Sequence, residues 1–174
     1  SKLLQLNCNH IEIIEPIEIK EDTSQLICMW SKKQQHKQGV ISLYETNIYL
    51  LNRIHDQKLD KVLILEDDAE LIDNLDIVLD DSCMLQYLNI RMWKKRNCST
   101  LANYYPSHER TKQLLDQLII YRSVKKNKHR AWDLELDYMK NKYTLDFSYY
   151  NCFNHPKNKS LLGNDKFNLP NNNI

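Results

Sequence analysis

The chain has 174 residues, of which 24 are basic and 23 acidic, and 42% of it is hydrophobic. That length is enough for one domain, spanning 1–174 with a loose tail over 165–174, and it excludes a mini-protein held by cross-links. The balanced charge excludes a global field for nucleic acid; five cysteines with no close pair or metal-ligand spacing point to a reducing, cytoplasmic compartment.

No stretch reaches transmembrane length. The basic runs "KKQQHK" (32–37) and "RSVKKNKHR" (122–130) read as solvated faces. Two glycines, Gly39 and Gly163, exclude a Gly-rich phosphate loop, so bound phosphates would call for a cation.

In chain order, "IEIIEPIEI" (11–19) is β-rich and broken by Pro16, which predicts a strand or edge segment. Residues 21–38 read as polar and irregular. Ile41, Tyr44, Ile48, Leu51 and His55 fall at helical spacing and predict an amphipathic helix over 41–55. It leads into four continuous aliphatic residues, Val62 to Leu65, which predict a strand buried on both faces, as in a parallel sheet.

Three carboxylates follow at once: Glu66, Asp67 and Asp68. At about 4 Å and an effective dielectric near 20, each like-charged pair costs about 4 kcal/mol before screening. A divalent cation offsets that cost, because magnesium and manganese favour carboxylate oxygens and bridge to phosphates. At i and i+2 of an extended segment, Glu66 and Asp68 point the same way and converge on one ion, while Asp67 faces elsewhere. The competing reading is that "DDAELIDNL" opens a helix, whose first turn favours acids.

Beyond it, "MLQYLNI" (84–90) predicts the neighbouring strand and "PSHERTKQLLDQLII" (106–120) a helix capped by Ser107. "AWDLELDYM" (131–139) predicts another helix, "YTLDFSYY" (143–150) a strand, and "NLPNNNI" a loose end. No cysteine has the basic or helix-start setting of a reactive thiolate.

Read alone, "KVLILEDDAELIDNL" is similar to the start of a two-component receiver domain. A receiver needs a phosphoacceptor Asp ending a later buried strand. The helix "SHERTKQLLDQL" stands there instead, with Asp116 between leucines.

A longer stretch, "GVISLYETNIYLLNRIHDQKLDKVLILEDDAEL" (39–71), resembles the core of glycosyltransferase family 25, the lipopolysaccharide-biosynthesis and procollagen galactosyltransferase group, where a Gly-led helix carrying Ser-His precedes a strand ending in Glu-Asp-Asp. "MLQYLN" (84–89) resembles the family's next strand, and "NYYPSHERTKQLL" (103–115) its Tyr-containing segment and helix. "AWDLEL" (131–136) resembles its Asp-containing segment, and "FNHPKNKSLLG" (153–163) its His-then-Ser tail. Thr46-Asn47 stands where Ser-His is usual and Asn89 where Gly is usual, and "SKLLQLNC" starts just after the family's first strand and Arg-containing turn.

The resemblance implies a GT-A-type α/β domain, an open and mostly parallel sheet flanked by helices and lacking the first family strand. It implies metal-dependent, inverting transfer of galactose or glucose from a UDP-sugar, with manganese or magnesium, to a glycan or hydroxylysine-type acceptor. Glu66, Asp68 and His155 would hold the metal, Asp67 the ribose or a second metal position, and Asn47 and Tyr104 the donor. Asp133, with Glu135 second, would take the acceptor proton. Trp132, Tyr104 and Tyr105 are candidates for stacking on sugar or base. Taken without the resemblance, Asp133 is a helix-start acid beside Trp132, and His155 a loop histidine before Pro156. The alternative function is a non-catalytic homologue serving as an interaction module.

Overall fold

The computed structural model describes residues 10–20, 27–28, 34–72, 79–89, 92–93, 96–97, 101–124, 128–129 and 131–154. In chain order these form β1 (Ile27–Cys28), α1 (Gln34–Asp56), β2 (Val62–Leu65), β3 (Glu70–Leu71), β4 (Leu85–Tyr87), β5 (Met92–Trp93) and β6 (Arg96–Asn97). They continue with β7 (Ala102–Tyr105), α2 (His108–Val124), β8 (Lys128–His129), α3 (Trp132–Tyr143), β9 (Phe147–Tyr149) and β10 (Phe153–Asn154).

The main sheet has four strands in the order β2-β7-β4-β9. Strand β7 is antiparallel to both neighbours, and β4 and β9 are parallel. Strands β2, β4 and β9 therefore run one way and β7 the other. The expected mostly parallel sheet is a mixed one, within an α/β architecture. Strands β1 and β8 form a parallel pair, while β3 with β10 and β5 with β6 form antiparallel pairs.

Side chains alternate across the sheet and build two cores. On one face Tyr87, Tyr105 and Phe147 meet the helices through Tyr44 and Leu51 of α1, Leu114 and Leu118 of α2, and Trp132 and Met139 of α3. On the other face Leu63 and Leu65 join Leu101, Tyr104, Cys152 and Phe153.

The expected helices over 41–55, 106–120 and 131–139 lie within α1, α2 and α3. Ser107 caps α2, its hydroxyl accepting from the Arg110 amide at 3.3 Å. Helix α1 starts earlier than expected and runs through Gly39. The strand expected over 11–19 is not formed: residues 10–20 carry no strand assignment and pair with none among the described residues, and the segment instead lies along α1. Thr46 Oγ1 accepts from the Ile17 amide at 2.9 Å, and Ser42 Oγ donates to the Ile17 carbonyl at 2.6 Å. Arg53 grips the Glu12 carboxylate through both terminal nitrogens, at 2.8 and 2.6 Å.

Two further strand expectations need correction. Among the described residues Val62–Leu65 is an edge strand, half-buried at all four positions, rather than one enclosed on both faces. The neighbour of β2 is β7, which lies between it and β4. An aliphatic run reports what its side chains touch, not how many of its edges are bonded.

Inside the helical layer, the Tyr44 hydroxyl donates to Glu135 Oε1 at 2.6 Å. The Tyr44 ring packs edge-on against Trp132 at 5.2 Å, and the Arg122 guanidinium lies 4.0 Å above it. Burial, then the Glu135 charge, drives the Tyr44 phenol far above its ordinary range. Hydrogen bonds to charged groups contribute about 1.5–3 kcal/mol. Tyr44→Phe should therefore lower unfolding free energy by about that amount in urea titration, with the fold retained by circular dichroism.

Candidate functional site

Strand β2 delivers Glu66, Asp67 and Asp68 to the edge of the sheet where β2, β4 and β9 all end. The Glu66 amide donates to the Leu101 carbonyl at 2.9 Å, and the Ala69 amide closes a turn onto the Glu66 carbonyl at 3.1 Å. The acids thus occupy a tight turn into β3, not the start of a helix. They are not in an extended segment either, so the i, i+2 argument for convergence of Glu66 and Asp68 does not apply. Asp67 is exposed, and Glu66 and Asp68 are half-buried.

The chain tail returns to this turn. Phe153 registers with Leu71 and Asn154 with Glu70, two residues beyond Asp68. His155 itself lies outside the described residues, but the residue before it belongs to this ribbon. Asn89 braces the ribbon: its side chain is buried, and its Nδ2 donates to the Phe153 carbonyl. The amides of Cys152 and Phe153 both reach the Leu88 carbonyl at 3.0 Å.

The other expected site residues fall in different places. Asp133 sits half-buried in the first turn of α3, its Oδ1 accepting from the Leu134 amide at 2.8 Å. Burial first, with Asp133 among the lesser causes, raises the phenol of Tyr87, the last residue of β4. Glu135 is only 1% exposed and takes the Tyr44 hydrogen bond in the core. Asn47 is buried on α1, where its amide donates to the Leu43 carbonyl at 2.8 Å. Tyr104, Tyr105 and Trp132 are completely buried, so none offers a ring face to a base or sugar.

Sequence reasoning missed the partner of Tyr104. Its hydroxyl donates to Asp81 Oδ1, and Lys61 Nζ lies 3.0 Å from Asp81 Oδ2. The Tyr104 hydrogen bond, then Lys61, holds the Asp81 carboxyl below its ordinary range, while burial raises the Tyr104 phenol. No spacing in the sequence links position 81 to position 104.

A cleft of about 490 Å³ opens elsewhere, lined by His55, Asp56, Lys58, His108, Glu109 and Lys112. It lies where α1 ends and α2 begins, at the opposite end of β2 from the acidic turn. Of the lining residues, His108 is held by Asp60, which accepts from its amide and faces its Nδ1, each at 2.9 Å. The cleft mixes acids with lysines and selects no ligand charge. Among the described residues, no group of three or more His, Cys, Asp or Glu could hold a metal ion, and no helix is long and apolar enough to cross a membrane.

Cys83 and Cys152 are buried free thiols. Burial pushes the Cys152 thiol up to about 11, which keeps it protonated and unreactive at neutral pH.

Asp60, Asp80 and Asp81 all have lowered values, from the His108 amide, the Ser82 hydroxyl and the Tyr104 hydroxyl respectively. A carboxyl that binds its proton less readily when folded stabilises the fold above its unfolded pKa, about 3.9. That stability is lost as pH falls from there through the folded values. The urea midpoint should therefore drop as pH falls from about 5 to about 2, and by less in Asp81→Asn than in the parent.

Compared with protein-family models, curated proteins and solved structures, the chain matches none.

Proposed function

We propose that the chain is a metal-dependent glycosyltransferase of GT-A type that uses a UDP-sugar donor. The observation that carries the reading is the acidic turn at residues 66–68, set where three strands end and beside the ribbon leading into His155. Ligands of open α/β sheets bind outside the carboxyl ends of the strands.

The donor set suits a hard cation. Magnesium is usually held by one or two carboxylates together with substrate phosphates, not by a complete protein cage. Glu66 and Asp68 supply two carboxylates, and His155 follows directly on the residue paired with Glu70. Imidazole is acceptable to manganese. Once bound, the cation would stabilise charge developing on the departing diphosphate as a Lewis acid. Asp67, exposed on the same turn, would accept from a ribose hydroxyl.

Asp133 is the proposed base for the acceptor hydroxyl, glycan or hydroxylysine, and attack opposite the leaving group gives inversion. Glu135 does not share that role, because its carboxylate is buried against Tyr44. A non-catalytic interaction module is the second reading. It is favoured by Asn47, whose amide is engaged within its own helix where the resemblance called for a donor contact.

Calorimetric titration with UDP, with and without manganese, separates the two. UDP should bind only with the metal, Asp68→Ala should abolish binding, and His155→Ala should weaken it. Metal-independent binding, or undiminished affinity in Asp68→Ala, would sink the proposal.

General bases contribute typically about 10²–10⁴-fold. Asp133→Asn should lower sugar transfer by about that factor with UDP affinity unchanged. Equal losses in both would move Asp133 into the donor site.

A further inference from the structure

We propose that the open edge of β2 pairs antiparallel with β2 of a second copy of this chain, about a two-fold axis through Ile64. The inference stands on backbone geometry and charge and does not depend on the proposed transferase activity.

The Glu66 amide bonds to Leu101, in line with the register Val62 with Tyr105 and Ile64 with Asn103. In an antiparallel ladder the residues facing the partner alternate with those facing away. The even-numbered residues of β2 therefore bond to β7, and the amides and carbonyls of Leu63 and Leu65 point to the other side. Among the described residues, no strand meets them there.

Natural sheets blunt such an edge with charge, proline or a bulge. Val62–Leu65 has no charged residue or proline, and its four aliphatic side chains are half-exposed. Its ends carry the charge instead: Lys61 at the start, with Glu66, Asp67 and Asp68 at the finish. Two such strands side by side in the same direction set like charges together. Antiparallel, the basic start of each copy meets the acidic turn of the other. Lys61 already approaches Asp81, but its side chain is 69% exposed and the ammonium carries three donors.

The ladder also fixes the register. Residues directly opposite each other are either both bonded or both unbonded, so Leu63 must face Leu63 or Leu65 of the other copy. Setting Leu63 against Leu63 opposes Leu65 to Lys61, whose left-handed backbone (φ 58°) ends the strand and turns its amide to the Pro106 carbonyl. Setting Leu65 against Leu65 opposes Leu63 to Asp67, already in the turn. Only Leu63 against Leu65 matches strand with strand throughout, and it places Ile64 opposite its own copy in an unbonded pair. Two main sheets then join into one of eight strands.

The two Ile64 Cα atoms would lie about 4.5 Å apart, as in any unbonded antiparallel pair, and disulfides span about 4.4–6.8 Å. Sedimentation equilibrium of the parent chain should give a dimer. Ile64→Cys should yield a covalent dimer on mild oxidation, reversed by reductant and far above the parent's background. Lys61→Glu should raise the dimer dissociation constant about tenfold, and Lys61→Glu combined with Asp67→Lys should restore it. These measurements do not require Ile64→Cys to fold as well as the parent, because the charge exchange reads the same interface. A parent that stays monomeric overturns the proposal. So does cross-linking by Leu63→Cys in place of Ile64→Cys. A monomer whose Leu63 and Leu65 amides resist hydrogen exchange also overturns it, by showing that another strand occupies the edge.

Discussion

With β2 bonded along one edge of β7 and β4 along the other, four residues in the middle of the sheet join Val62–Leu65 to Leu85–Tyr87. Ala102, Asn103, Tyr104 and Tyr105 are all buried, two towards each core. The strand therefore sets the register of the acidic turn, through Leu101 and Glu66, and that of the end of β4, through Ala102 and Leu88. Burying tyrosines there carries a polar cost. The Tyr104 hydroxyl meets it with Asp81, whereas the Tyr105 phenol, enclosed in the helical core, is driven up by burial. Because β7 runs against its neighbours, the three strands that flank or follow it can end on one edge of the sheet.

The helices were legible because their apolar period is local. Leu114, Leu115 and Leu118 fall on one face of α2, and that face is the buried one. The same holds for Tyr44 and Leu51 of α1. Strand order was not legible, since pairing joins residues whose separation leaves no periodic trace. "ANYY" lacks the β-branched run that marks an interior strand, yet it is the most enclosed strand of the sheet. "VLIL" has the look of an interior strand and forms an edge. Aliphatic content records contact on the faces; position in the sheet was decided by the long-range partners of β7.

The candidate site was legible in its acids and not in its supports. Asp133 and Glu135 look interchangeable in "AWDLEL", but residues two apart on a helix point about 200° from each other. One must face inward, and Tyr44 makes that residue Glu135. Thr46 and Asn89, which depart from the pattern of the resembling family, have structural work of their own. The Thr46 hydroxyl holds the extended segment at Ile17, and the Asn89 amide holds the ribbon at Phe153. A glycine at 89 could supply neither donor nor brace.

Scarcity of glycine ties the fold to the proposed chemistry. With only Gly39 and Gly163 in the chain, left-handed backbone positions among the described residues fall to Lys58, Lys61 and Thr144, at φ 53°, 58° and 52°. Such positions cost non-glycine residues about 1–2 kcal/mol each, so the surrounding structure must hold them. At Lys61 the amide is bonded to Pro106, and the side chain to Asp81; at Thr144 the amide returns to the Lys140 carbonyl and ends α3. The same scarcity bears on ligand binding. A phosphate cradle built from successive backbone amides needs glycines for close approach. Only one glycine lies among the described residues, and it is inside α1. A chain of this composition that binds a diphosphate has to bring charge to it by another route, and carboxylates gathered on a turn can do so by holding a cation.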